Sequence, residues 1–181
     1  HRLECLKTNG RHSTTVGGVT ETVAAHSWRL AVLALLVAPE IGGIDANKLV
    51  RMCLVHDFGE AITGDIPSFL KTKAHEATED SAVQTLLSTL PEPQRTELKT
   101  LFAEMDAQQS AEARLYKALD KMEAVIQHNE SDISTWLPLE YELQQSYAQE
   151  NAAEFPYLAE LRAMMLEDTK NKIEQAKEKK A

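Results

Sequence analysis

Four side chains of metal-ligating type punctuate this sequence: His26, the adjacent pair His56-Asp57, and Asp120, with Glu60 and Asp65 close behind the pair. Each stands in an otherwise apolar, helix-patterned stretch, where a lone charge is costly to bury. Several such groups from separate segments become tolerable together when they share a divalent cation. Two histidines and two aspartates suit a borderline or hard ion such as Mn, Fe, Co, Zn or Mg. So few protein ligands leave coordination positions for water and substrate, as a catalytic site requires. The chemistry this set suits is metal-dependent hydrolysis.

Taken singly, each residue has a plainer explanation. A lone histidine on an apolar face is usually a core or boundary residue. A His-Asp dipeptide is common by chance, and Asp120 in Lys117-Ala-Leu-Asp-Lys121 can simply pair with a lysine. The argument rests on their combination. Adjacent helical residues point about 100° apart, so His56 and Asp57 approach a cation from either side of it. Glu60 follows them by four and three positions and stacks on the same side if the helix continues through Gly59.

The elements that must carry these residues read as helices. Seven glycines and six prolines punctuate the chain rather than permeate it, which favours helices joined by short connections. No stretch shows a defensible period-two strand. Residues 1–7 read as the tail of a helix stopped by Asn9-Gly10, and 11–21 as a loop rich in Thr, Ser and Gly. Helical patterning then runs from Thr22 to Pro39, with Val23, Leu30, Leu33 and Leu36 on or near one face. Asp45 caps the next helix, which directs Leu49, Met52 and Val55 inward. Gly59 and Thr63-Gly64-Asp65-Ile66-Pro67 break the regularity after the His-Asp pair. Helices are expected near 74–90, 93–105, 110–127, 137–149 and 157–172. Lys177 to Lys180 read as a solvated helix end. The expectation is an all-α bundle of about six to eight helices in one domain spanning 1–181, with a core near 20–130 and C-terminal helices near 137–175.

Composition narrows the function. A hydrophobic share of 43% supports a real core. The net charge of -9 argues against a surface that tracks nucleic-acid polymers, but a metal and one or two basic side chains can still reverse the local sign for a small phosphorylated substrate. Cys5 and Cys53 form no CxxC pair and point to a reducing compartment. The apolar stretch Leu30 to Ala38 is short of the roughly 18 residues of a membrane span. A cytoplasmic protein without membrane attachment is expected, and no leader segment is visible.

In combination, Thr22-Val23-Ala24-Ala25-His26-Ser27-Trp28-Arg29, Leu54-Val55-His56-Asp57-Phe58-Gly59-Glu60, Gly64-Asp65-Ile66-Pro67 and Leu119-Asp120-Lys121 resemble the HD-domain phosphohydrolases. The likeness spans roughly residues 3–170 and is greatest to the small branch of 5'-deoxynucleotidases. The stretch from Gln108 through Asp120 also looks like that branch. The resemblance implies an HD-domain helical bundle. It implies His26, His56, Asp57 and Asp120 as metal ligands, Glu60 as catalytic acid/base, and Asp65 as the partner that positions water and reads the sugar hydroxyl. Arg11 falls near a substrate-contacting arginine of the family, and Pro67 and Lys71 lie where substrate contacts are expected. The implied activity is removal of the 5'-phosphate from deoxynucleoside 5'-monophosphates by a homodimer. The chain departs from the pattern in three ways. Arg11 is followed by His12-Ser13-Thr14-Thr15 rather than by a tryptophan, Ala25 stands where an acidic residue precedes the first histidine, and the 11–21 loop is about two residues shorter. His12 is a possible replacement for the lost stacking surface.

Other residues carry less. His75 is expected at the surface, His128 near terminal carbonyls or solvent, and Trp28 and Trp136 in packing. The stripe Leu115, Leu119, Met122 and Ile126 is expected in the core. Two alternatives stand beside the main reading. One is an HD-family hydrolase of a triphosphate, cyclic nucleotide or alarmone, and the other is a helical scaffold with a vestigial metal site.

Overall fold

Polar side chains cap four of the longer helices. The computed structural model describes residues 1–179 and opens with a 3-10 turn at Arg2–Lys7, followed by strands β1 (Gly10–Thr14) and β2 (Thr20–Thr22). The Thr22 side chain accepts from Ala25 N and opens α1 (Val23–Ile41). Asp45 accepts from Asn47 N and Lys48 N and opens α2 (Ala46–Val55). A single-turn helix α3 (Glu60–Thr63) follows. Thr72 and His75 form a reciprocal capping box at the start of α4 (Lys73–Ser88). Next comes α5 (Gln94–Ala107), and Ser110 then caps α6 (Ala111–Glu130). The chain finishes with α7 (Glu140–Ser146), α8 (Gln149–Ala153) and α9 (Pro156–Glu178). Among the described residues this is an all-α bundle, with seven helices of seven or more residues and two shorter ones. Lys180, the last of the expected solvated lysines, lies outside the described residues.

α6 is the central strut and packs on α1, α2, α5, α8 and α9. Leu115, Leu119 and Met122 on it are fully buried against Leu30, Leu49 and Met52, while Ile126 is half-buried. Burying a side chain of this size contributes about 1.5–3 kcal/mol.

The structure corrects the sequence reading at several points. The 11–21 segment is not a loop. Gly10 pairs with Thr22 and Thr14 with Thr20 in an irregular antiparallel hairpin. Its strands are polar, so no apolar alternation announced them. Side chains and backbone fix the hairpin instead: Ser13 Oγ donates to Glu21 across it (2.7 Å), and Gln127 Nε2 on α6 donates to Thr14 O (2.7 Å).

α1 does not stop at Pro39. It ends two residues later, where Gly42 and Gly43 take positive φ of 69° and 68°, a region that favours glycine. Val23, His26, Ser27, Leu30, Ala34 and Val37 set the buried face of α1. Leu36 and Trp28 are consequently turned outward, each 66% exposed, rather than packed. By length and composition α1 is also long and apolar enough to cross a membrane, with a mean hydropathy of 1.3. In the bundle it is instead wedged between α2 and α6 with His26 facing inward. The helix expected near 137–149 is split, because Ala148 takes a positive φ of 66° between α7 and α8.

Candidate metal centre and its cleft

Three helices meet at the candidate centre. His26 comes from α1, His56 caps the C-terminus of α2 with Asp57 next, and Asp120 comes from the middle of α6. The helix does not continue through Gly59. Phe58 N bonds Val55 O and Glu60 N bonds Asp57 O, a tight i to i+3 turn that re-aims the chain before α3. This turn is what lets neighbouring His56 and Asp57 reach one point: His56 Nε2 lies 3.1 Å from Asp57 Oδ2. His26 Nε2 lies 3.3 Å from His56 Nε2 and 3.2 Å from Asp120 Oδ1. Asp120 Oδ1 is 3.6 Å from His56 Nε2, and Asp57 Oδ2 is 4.0 Å from His26 Nε2. The structure therefore brings together all four residues singled out as ligands.

The hydrogen bonds behind the imidazoles decide what this cluster can hold. His56 Nδ1 faces Cys53 O at 2.9 Å, and His26 Nδ1 faces the buried Glu123 carboxylate. Both partners are acceptors, so Nδ1 carries the proton in each ring. Two Nε2 lone pairs then face each other among carboxylate oxygens. Asp57 Oδ2 is buried without a hydrogen-bond partner. Such a set of inward-facing acceptors fits a shared cation.

Electrostatics point the same way. Burial disfavours the charge on His56, yet Asp57 and Asp120 outweigh it, and its pKa is pushed up to about 10. Burial also opposes ionisation of Asp57, but His56, His26 and Arg11 hold its carboxyl well below the usual range. Burial likewise opposes the charge of Asp120, and Lys117 and the two histidines override it. The carboxylates thus favour a positive charge at the imidazoles, and a metal would take the place of those protons.

An open cleft lies beside the cluster. Glu60 lines it, is 3% exposed, and leaves Oε2 without a hydrogen bond. Burial and the charges of Asp57 and Asp65 push its carboxyl up to about 9. Asp65 is raised by burial and by Asp57, with Arg11 opposing. Arg11 projects from β1 into the cleft, with Nη1 3.5 Å from Asp57 and 3.9 Å from Asp65 and Nε 3.3 Å from Glu21. Burial works against its charge, and the surrounding carboxylates restore it.

Pro67 and Lys71 also line the cleft, and Lys71 is ion-paired with Glu79. His12 sits on the cleft wall, edge-on to Phe69 at 5.7 Å and 3.3 Å from Glu140. His75 is exposed and caps α4. His128 bonds Ala124 O and the buried Glu140, and Trp136 is buried.

The model of the HD domain matches residues 3–162 of this sequence. The chain belongs to the HD-domain family. Among curated relatives, the human protein named 5'-deoxynucleotidase HDDC2 is 36% identical over 61% of this HD-domain chain and 54% of its own length. The Schizosaccharomyces pombe 5'-deoxynucleotidase hdd1 is 28% identical over 74% of this chain and 77% of its own. The chain spans about half the length of the HDDC2 relatives it matches. Among solved structures, a Magnetospirillum magnetotacticum protein described as a predicted metal-dependent phosphohydrolase superposes with a TM-score of 0.80 at 25% identity, covering 94% of this chain and 90% of that one. A conserved hypothetical protein from Pyrococcus furiosus gives 0.68 at 29% identity, covering 93% and 96%.

Behind the candidate ligands of this HD domain, sequence reasoning missed Glu123 and its partner Arg29, and it took a lysine pairing of Asp120 only as an alternative to a metal. Glu123, fully buried, accepts from His26 and from Arg29 Nε (2.6 Å), and Arg29 also pairs with Glu130. Lys117 Nζ holds Asp120 Oδ2 at 3.0 Å, which leaves Oδ1 to face the histidines. Helical spacing was the available signal. Glu123 and Lys117 each stand three residues from Asp120, and Arg29 stands three from His26, so each shares a face with its ligand.

Proposed function

We propose that this chain is a metal-dependent 5'-deoxynucleotidase, removing phosphate from deoxynucleoside 5'-monophosphates. The observation that carries the reading is the convergence of four inward-facing ligand side chains beside a buried carboxylate, Glu60, whose Oε2 has no partner. In support, relatives named 5'-deoxynucleotidases align with this chain.

His26, His56, Asp57 and Asp120 would hold one divalent ion, with Co, Mn, Mg, Zn and Fe all compatible with the donor set. Bound there, it would acidify a water and polarise the phosphoryl group. The remaining work belongs to the protein. Arg11 presents a fork of donors that matches two phosphate oxygens. Lys117 and Lys121 on the cleft wall and Lys71 beside Pro67 add positive charge. Once the charge of Asp57 is neutralised, Glu60 loses its strongest repulsion and falls toward the range where it accepts a proton. Glu60 takes that proton as the water oxygen attacks phosphorus. The bond from phosphorus to the 5' oxygen breaks, and the leaving oxygen regains a proton. Asp65, close to Arg11, orients water and meets the sugar hydroxyl.

The same reading takes residues 1–181 as one HD domain acting as a cytoplasmic homodimer, which light scattering and fractionation test. The activity is tested by phosphate release from dAMP, AMP, dATP and a cyclic nucleotide, with chelator and with each ion added back. Chelator-sensitive release from dAMP above the others is expected. Preference for dATP or the cyclic nucleotide would move the substrate to another HD class, and no release from any would leave the scaffold reading.

A further inference from the structure

Two clefts meet at Asp57. The cleft already described mixes Arg11, Lys117 and Lys121 with carboxylates such as Glu60, Asp65 and Asp120. A second opens between α4 and α5 and reaches His56 and Asp57 from the other side. Its walls carry Glu76, Glu79 and Asp80 from one face of α4, spaced three and four residues apart, and Asp106 from α5. Lys71 and Lys117 stand where the two clefts adjoin, since both residues line each.

The acidic wall is not a network of paired charges. Among the described residues Glu76, Asp80 and Asp106 make no ion pair, and Glu79 pairs only with Lys71. Asp80 and Asp106 face each other closely enough that Asp80, after burial, raises the Asp106 carboxyl. Uncompensated like charges across a groove cost stability and ordinarily call for a counter-charge. At the inner end stands Asp57 of the candidate metal centre. It is 9% exposed and lines the groove, and its Oδ2 lies 3.1 Å from His56 Nε2. Glu79 bridges wall and floor, for its carboxylate lies within 4.8 Å of ligand oxygens of Asp57 and Glu60.

We propose that the acidic groove between α4 and α5 is the entry route of a divalent cation to His56 and Asp57, separate from the cleft that admits the phosphorylated substrate. This rests on the metal reading above. The groove concentrates cations by its field, and Glu79 hands them to Asp57. The carboxylates of the groove repel a phosphate, which leaves the other cleft, with Arg11 and Lys121, to the substrate. Metal therefore exchanges while substrate occupies its own cleft.

The test uses the full chain stripped of metal and mixed with Co2+ in a stopped-flow instrument, with uptake read from the cobalt absorbance. Asp80→Asn with Asp106→Asn changes two exposed residues outside the catalytic set. The association rate is expected to fall about fivefold at low ionic strength, and the difference to vanish in high salt. A control pair on α9, Glu160→Gln with Asp168→Asn, removes the same charge elsewhere and is expected to leave the rate unchanged. Adding dAMP is expected to leave uptake in the parent unhindered. An unchanged rate in the groove variant, an equal fall in the control, or a block of uptake by dAMP overturns the route while leaving the metal site standing. Failure of the parent to bind Co2+ at equilibrium overturns the metal reading and the route with it.

Discussion

The two imidazoles of the candidate centre are held from behind by different acceptors. His56 donates to a neutral carbonyl, whereas His26 donates to a carboxylate that is itself tied to Arg29. The Glu123 carboxylate both orients His26 and makes it the stronger donor. Glu123→Gln is therefore expected to weaken metal affinity about 10–100-fold with the helical circular dichroism intact. Titration calorimetry reads this, and unchanged affinity would remove Glu123 from the site.

Glu60 makes a second prediction at this scale. As the proton acceptor it is worth about 10²–10⁴ in rate, so Glu60→Gln should lose turnover by that order while retaining metal. Its titration adds a signature in the metal-free protein. The folded-state pKa of about 9 exceeds the ordinary value of 4.5. Below the ordinary value the group is protonated in both states and has no effect. Above it the unfolded chain ionises while the fold holds the proton, so stability drains away up to about pH 9. The Gln variant escapes this loss. Its melting temperature should match the parent near pH 4 and exceed it by a margin that grows steadily toward pH 9. A constant offset across that range would mean Glu60 is not the buried acid described.

At the scale of elements, the decisive piece is the tight turn from His56 to Glu60. Gly59 permits it because α4 crosses very close. A Cβ at Gly59 would stand 2.9 Å from Glu79 O and 3.2 Å from Val83 Cγ2. The φ of -57° suits any residue, so the constraint is space. Gly59→Ala should force α3 from α4 and destabilise by about 1–3 kcal/mol, with a larger fractional loss of metal affinity than substitutions on α9. A melting temperature within a degree of the parent would mean the crossing is slack.

Legibility in the sequence divides along the same line. Helices announced by a capping Thr, Asp or Ser and by 3.6-residue spacing began within a residue or two of where they were read. The four ligand types were also legible, because a histidine or aspartate in an apolar stretch is conspicuous. What escaped was structure fixed by distant contacts. The 10–22 hairpin depends on Gln127, which is far away in sequence. The outward turn of Trp28 and Leu36 follows from which face of α1 docks on α6. Glu123 hid among the many charges of α6, and only the fold shows that it is buried.

For the whole molecule, the candidate ligands come from positions 26, 56–57 and 120, so a cation held there would tie α1, α2 and α6 together. A ligand that binds only the folded chain adds about 2.7 kcal/mol at a hundredfold excess over its dissociation constant. Chelation should lower the melting temperature accordingly, by about 5–10 °C, and re-addition of metal should restore it in proportion to the logarithm of its concentration. A melting curve indifferent to chelator would deny the cation its place between the helices.

Asn9 deserves a last thought for anyone handling this chain. Its side-chain amide donates to the peptide oxygen of Glu60 at 2.6 Å, and its own carbonyl receives Val23 N at 3.0 Å. One residue thus rivets the first turn of α1 to the backbone of Glu60. An amino-terminal truncation that strips it, harmless by any tally of lost helix, would leave Glu60 hinged rather than clamped.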